Sequence, residues 1–399
     1  MRINKWLLLT ALLACVSTLG IALEGQQERV RQTQPWPDQG KIDVAAPQAD
    51  FPWDAVPPVG QDKGGVDISG DYEVVPNWPQ PPHADYTWGR VGAVWAESPD
   101  RVFVFQEGEL PRLEKPIGYA TLPNRAASRP GSGPMGKVRW EHLLMIFDAN
   151  GKLVDSWEQW NDKFLHPHSV LISPYDPEKH VWLIDSTANV IYKFTNDGKK
   201  LVMTLGEFKV AGMDQTHFGG PTDIAFMPNG DFYVSDGYQN GRVVKFSRDG
   251  KYLMEFGKPG KGPGQFYVAH GIAVDAQNRL YVADRANARV QVFDANGTFL
   301  QQWPNIPFPM NVVVSKDQHV WVSDGFSHRI LKYDTNGKLL YSWGTFGQFP
   351  GTLWGVHRFT TDSEGNVYTA EVYGGRTQKF RPKRGANPAH LIGPLFGSR

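Results

Sequence analysis

The chain has 399 residues with 41 Lys+Arg against 41 Asp+Glu, so its formal net charge is +0; a nucleic-acid binder or polybasic membrane binder needs a positive surplus that is missing here. One cysteine excludes an intramolecular disulfide and any cysteine-built metal cluster. The 42 Gly, 30 Pro and 13% aromatic residues favour many short strands joined by turns over long helices.

The first residues, MRINKW, carry Arg2 and Lys5, and LLLTALLACVSTLGIAL then runs almost wholly apolar. This pattern predicts a signal peptide over residues 1–22, cut after Ala22, or the same segment kept as a membrane anchor. Cys15 gives a weak likeness to a lipidation site. On each of these readings the remainder lies outside the cytoplasm, secreted or periplasmic, with membrane contact only through an uncleaved N-terminal segment. Residues 23–85 are Pro-rich and aperiodic (QTQPWPDQG, FPWDAVPPVG, NWPQPPHADY) and read as a tether. Within them DYEVVP has the composition of a strand that adds to a domain edge.

From residue 86 to 399 a repeat takes over. HVWLIDSTANVIYKFTNDG, DFYVSDGYQNGRVVKFSRDG, RLYVADRANARVQVFDANG and HVWVSDGFSHRILKYDTNG each give a strand, an acid, a short turn, a second strand and an Asn/Asp-Gly turn. NVYTAEVYGGRTQKFRPKRG is a fifth copy, and RVFVFQEG with HLLMIFDANG, split by a long insertion, is a sixth. The acids Asp185, Asp236, Asp284, Asp324 and Glu371 stand 51, 48, 40 and 47 residues apart. Periods of roughly 40–50 residues with four strands each predict an all-β, six-bladed β-propeller. The acids and Arg242, Arg289, Arg329 and Arg376 recur in most blades, so they read as scaffold.

One position breaks the repeat. At the start of each blade's first strand the chain offers, in order, Gly92, His168, Thr222, His270, Met310 and His357. First strands line the central channel, so histidines in alternate blades point at one axis from about 120° apart. Three neutral imidazoles suit Zn²⁺ and leave a fourth position open, although imidazole also suits other divalent metals. His166 is the one substitute ligand; His83, His142 and the remaining histidines read as surface or loop residues. Antiparallel strands return each landmark acid to the rim where the histidines begin, so the following residues face the same mouth. There Arg285 suits a carboxylate through forked hydrogen bonds, and Tyr238 is a candidate proton acceptor.

HPHSV, FYVSDGYQNGRVVKF, FYVAHGIAV and YVADRANARVQVF together resemble the peptidyl-α-hydroxyglycine α-amidating lyases, and the repeat as a whole resembles the NHL-repeat propellers. The lyase resemblance implies a zinc-dependent cleavage of C-terminal α-hydroxyglycine peptides to an amide and glyoxylate. It implies His168, His270 and His357 as metal ligands, Tyr238 as the catalytic tyrosine and Arg285 as a substrate-binding arginine. Three positions depart from the family pattern. Glu107 replaces an active-site arginine and would repel an anionic substrate; Gln239 replaces a cysteine; Arg358 replaces an acid linked to a structural calcium. Arg112, Arg125, Arg129 and Arg139 in the first-blade insertion are candidates to offset Glu107. Two other readings stand beside the lyase: a non-catalytic extracytoplasmic NHL propeller serving as a binding platform, and a lactonase-like hydrolase, which an imidazole trio fits poorly.

Overall fold

The computed structural model describes residues 69–110 and 139–397. The expected signal peptide, the tether up to residue 68, and Arg112, Arg125 and Arg129 lie outside the described residues. Its regular secondary structure is nearly all strand, arranged as six four-stranded antiparallel sheets. The first strands are Val91–Ser98, Pro167–Ile172, Pro221–Phe226, Ala269–Val274, Pro309–Val314 and Val356–Thr361. Blades 1 to 5 each use four consecutive strands.

The sixth blade is assembled from both ends of the described chain. Its outermost strand is Tyr72–Val74, paired antiparallel with Arg376–Pro382 in the register Tyr72↔Pro382 and Val74↔Phe380. The tether boundary at residue 85 is therefore corrected for this segment, which belongs to the propeller. This bears out DYEVVP as an added edge strand; three residues are too few for alternation to place it, and tertiary contacts fix it. Tyr72 is fully buried against Trp343, with ring centroids 5.2 Å apart, and its hydroxyl accepts from the Ile392 backbone N–H at 2.7 Å.

Packing explains why the strands look different from one another. Second strands such as Val181–Asp185 and Phe232–Asp236 are buried at every residue, because each blade is sandwiched between two neighbours. Leu171, Trp182 and Ile184 of blade 2 thus share one apolar cluster with Phe226, Phe232 and Phe246 of blade 3. Outer strands such as Leu201–Leu205 and Tyr252–Phe256 alternate between half-buried and exposed residues, as a solvated edge requires.

The recurring acids hold the linkers between blades. Asp236 accepts from the Gly219 N–H at 2.8 Å, Asp284 from Tyr267 at 2.7 Å, Asp324 from Phe308 at 2.7 Å and Glu371 from Trp354 at 2.8 Å. Arg242, Arg289 and Arg376 pair with the acids of their own blades and donate to linker carbonyls. Burial raises the Asp236 carboxyl to about 6, with Asn240 and Arg242 opposing the rise.

Candidate metal centre and its mouth

The ring position singled out by the sequence coincides with a backbone irregularity. In every blade the register between first and second strands shifts there, between Val91/Ala93, Pro167/Ser169, Pro221/Asp223, Ala269/Ile272, Pro309/Asn311 and Val356/Arg358. A bulge frees one residue from the ladder and re-aims its side chain. Gly92, His168, Thr222, His270, Met310 and His357 are the residues so freed.

The three histidines meet. Ring centroids lie 5.0 Å apart for His168 and His270, 4.6 Å for His168 and His357, and 4.8 Å for His270 and His357. All three side chains are buried. Each sends Nδ1 to the backbone carbonyl at the same ring position of the next blade. His168 reaches Thr222 O at 2.8 Å, His270 reaches Met310 O at 2.6 Å, and His357 reaches Gly92 O at 2.5 Å. A carbonyl only accepts, so each Nδ1 carries the proton and each Nε2 presents a lone pair. His270 Nε2 and His357 Nε2 face one another at 3.1 Å. Two lone pairs at that separation repel unless something positive lies between them.

These donors fit a divalent cation that prefers nitrogen. Three neutral imidazoles have their tautomers fixed by carbonyl partners, and their ligating nitrogens all fall within 4.8 Å of one another. Burial holds all three rings well below the ordinary imidazole value, and the other rings, Arg358 and Arg285 push in the same direction. The rings therefore stay neutral, as ligands must.

Tyr238 and Arg285 join this cup from the turns that follow Asp236 and Asp284. The Tyr238 hydroxyl stands 3.0 Å from His168 Nε2 and 3.3 Å from His270 Nε2. Arg285 donates Nη1 to that hydroxyl at 3.4 Å, and its guanidinium is sandwiched between the rings of Tyr238 and Phe308, at 5.1 and 4.8 Å. Its Nε is buried without a hydrogen-bond partner among the described residues. An arginine held flat by two rings with a donor to spare suits a planar anion. The five candidate site residues from the sequence are thus brought together.

His166 is not a substitute ligand here. Its Nε2 pairs with Glu107 Oε1 at 2.8 Å and its Nδ1 with Ser186 Oγ at 2.7 Å. Glu107 also pairs with Arg90 at 2.8 Å. The carboxylate expected to repel an anionic substrate is therefore neutralised, and by Arg90, which lies outside the insertion. Arg139 serves Glu109 instead.

Arg358 sits immediately beyond the cup. It donates to Asp223 Oδ1 at 2.8 Å and to Thr222 O at 3.0 Å, the same carbonyl that orients His168. A cavity of 460 Å³ has Asp223 and Arg358 in its wall but none of the three histidines, so the ion pair separates it from the cup.

One cluster escaped the sequence reading. His83 and His142, taken as surface or loop residues, converge on the buried Glu109, which also receives Arg139. The missed signal was the pair of acids two residues apart after Gln106, which stands where the other blades carry their acid: Glu107 and Glu109, neither of which has water to face.

Comparison with known proteins adds to this geometry. The profile of a family described as a 6-bladed beta-propeller matches residues 211–341. Peptidyl-alpha-hydroxyglycine alpha-amidating lyase 1 of Drosophila melanogaster is 31% identical over 267 residues, covering 57% of this chain and 47% of that protein. A probable peptidyl-alpha-hydroxyglycine alpha-amidating lyase of Caenorhabditis elegans is 37% identical over 155 residues, covering 38% of this chain and 43% of that protein. The matched stretch is thus less than half the length of either relative. Among solved structures, a putative gluconolactonase superposes with a TM-score of 0.50 at 12% identity, covering 78% of this chain and 96% of that one, a likeness of fold alone.

Proposed function

We propose that the protein is a metal-dependent carbon–nitrogen lyase that cleaves a carbinolamide, the C-terminal α-hydroxyglycine of a peptide or an N-acyl-α-hydroxyglycine, to an amide and glyoxylate. The observation that carries this reading is the cup itself: three imidazole lone pairs converge, and a tyrosine hydroxyl and a stacked arginine share their centre. The named lyases among its relatives support the same reading.

His168, His270 and His357 would hold the ion, Zn²⁺ being the best match to an all-imidazole set. When bound, such an ion supplies Lewis-acid chemistry that lowers the pKa of an oxygen it polarises. Arg285 holds the substrate carboxylate through its spare donor and fixes the carbinol carbon beside Tyr238. Acting as the phenolate, the Tyr238 oxygen takes the proton of the substrate hydroxyl. The carbon–oxygen double bond of glyoxylate forms as the carbon–nitrogen bond breaks, and the proton returns from Tyr238 to the departing amide nitrogen. Atoms balance with no water consumed, which marks a lyase rather than a hydrolase.

The test is glyoxylate release from N-benzoyl-α-hydroxyglycine by purified, zinc-loaded protein, with His270→Ala as control. Release that disappears in the variant supports the reading. A loaded protein that releases none leaves the binding platform as the function, and the ion as structural.

A further inference from the structure

Two positions of each blade open on the cup's mouth: the residue before the first strand and the residue after the landmark acid. The pairings Pro167↔Asp185, Pro221↔Asp236, Ala269↔Asp284, Pro309↔Asp324 and Val356↔Glu371 bring them side by side, as Val91↔Gln106 does in blade 1. Blades 3, 5 and 6 fill the two places with Gly220 and Gly237, Phe308 and Gly325, and Gly355 and Val372. Blade 4 has Val268 and Arg285, the arginine of the cup. Blade 1 has Arg90 and Glu107, and blade 2 has His166 and Ser186. Four side chains capable of proton chemistry or charge pairing thus fall in two adjacent blades.

They form one line of contacts. Arg90 Nη1 donates to Glu107 Oε1 at 2.8 Å, the same oxygen lies 2.8 Å from His166 Nε2, and His166 Nδ1 lies 2.7 Å from Ser186 Oγ. A carboxylate only accepts, so Nε2 carries a proton. Arg90 already balances the charge of Glu107, so a second proton on the ring would leave a buried charge unopposed. Nδ1 therefore presents a lone pair, and the Ser186 hydroxyl donates to it. A hydroxyl bonded to an imidazole whose other nitrogen is held by a carboxylate is the arrangement that activates serine as a nucleophile, whichever ring nitrogen faces the hydroxyl. Next along the chain, Thr187 stands at the repeat position that Tyr238 occupies in blade 3. Its hydroxyl is buried without a partner among the described residues, a donor in reserve for an oxyanion. The lyase chemistry uses neither His166 nor Ser186, although the His166 and His168 ring centroids are 5.9 Å apart.

We infer that Ser186, His166 and Glu107 form a second catalytic centre, which hydrolyses carboxylic esters of short acyl groups on the blade 1 and 2 side of the mouth. Ser186 Oγ attacks the ester carbonyl carbon as its proton passes to His166 Nδ1. The carbon–oxygen bond to the alcohol breaks, and that proton leaves with the alcohol. Water then attacks the acyl-serine and gives a proton to His166, which returns it to Ser186 as the carboxylic acid departs. Glu107 is a positioning residue, since it acts through the imidazole. A single hydroxyl for the oxyanion, in place of a pair of donors, suits an ester, whose alcohol leaves more readily than an amine. Ser186 and His166 are as buried as the cup's own residues, which limits the acyl group to a short one. None of these contacts serves the lyase, so the two activities stand or fall separately.

The experiment gives the full chain, with and without Zn²⁺, p-nitrophenyl acetate and, separately, the serine-directed label phenylmethylsulfonyl fluoride. Release of p-nitrophenol should persist without Zn²⁺, and peptide mass mapping should place the sulfonyl group on Ser186. Ser186→Ala should lower release on the order of 10²-fold or more and prevent labelling, while Ser363→Ala, at an exposed turn, changes neither. Glu107→Gln should lower kcat several-fold with KM held, a split that a purely structural role would not give; an unchanged kcat removes Glu107 from the centre. Release that requires Zn²⁺ belongs to the cup and overturns the inference. So does release undiminished in Ser186→Ala, a label found elsewhere than on Ser186, or no release at all. Should Ser186→Ala fail to fold, labelling of the wild-type chain decides alone.

Discussion

Two groups of histidines meet in this molecule, and they differ in what their protons are doing. In the central cup each Nδ1 proton is committed to a backbone carbonyl, so three lone pairs face one point and Tyr238 supplies a single hydroxyl proton among them. In blade 1, His83 and His142 face a carboxylate, an acceptor, so their ring protons have a partner, and Arg139 already balances the charge of Glu109. The first group is incomplete without a cation, whereas the second is satisfied as it stands. Convergence of imidazoles therefore does not define a metal site; the allocation of their protons does.

Metal content tests this contrast most sharply. The protein is expected to bind one equivalent of Zn²⁺ through the cup. His270→Ala should lower that affinity by at least about 10³-fold, since it removes one of three ligands. Elemental analysis after dialysis against a weak chelator reads the outcome, and a full equivalent retained by the variant breaks the contrast.

Arg358 sharpens it from beneath the cup. Arg358→Met leaves the buried Asp223 without its guanidinium and should cost about 3–5 kcal/mol of stability, the usual effect of breaking a buried pair from one side. Urea unfolding measures this. The same substitution removes a positive charge that disfavours ion binding at all three rings, so the remaining folded protein should hold Zn²⁺ more tightly than wild type.

The propeller was readable because five of the six blades repeat strand, acid, turn and strand, and because the acid must accept from a linker amide in blade after blade. The cup was readable for the opposite reason: His168, His270 and His357 occupy a repeat position that other blades fill with Gly92, Thr222 and Met310. Pairings between unrelated loops carry no period. Nothing local tells that Arg90 will neutralise Glu107, that Asp223 will find Arg358, 135 positions further along, or that Phe326 will lie flat on Phe308. The composition of DYEVVP did offer the edge strand Tyr72–Val74, but not which edge takes it, because its partner is at the far end of the chain.

Acid should separate the two groups next. The cup's imidazoles are held below the ordinary value near 6.5 chiefly by burial. Between the lowered folded value and 6.5 the unfolded chain binds protons that the native state refuses, so stability falls as pH drops below about 6.5 and is level above it. Buried acids raised by desolvation slope the other way, which is why a difference is the proper readout. Metal-free wild type minus metal-free His168→Gln should lose about 1.4 kcal/mol per pH unit below pH 6, the slope of a single ring. A flat difference from pH 7 to pH 5 indicates that His168 titrates as it does in water.

The smallest effect belongs to blade 1 and bears most directly on the contrast. His142→Ala removes one donor from Glu109 but leaves His83 at 3.1 Å and Arg139 in place, so the buried carboxylate remains paired. The side chain is partly exposed, and the loss should be about 1 kcal/mol in urea unfolding, that of a hydrogen bond to a charged group at a wet edge. Zn²⁺ stoichiometry should not change. Were the variant to bind one equivalent fewer than wild type, Glu109 would be ligating an ion with Arg139 displaced, and committed protons would no longer distinguish the two groups. Were it instead to lose several kcal/mol with stoichiometry intact, His142 would be carrying the charge balance now assigned to Arg139; measuring Arg139→Ala beside it identifies which of the two cations Glu109 depends on.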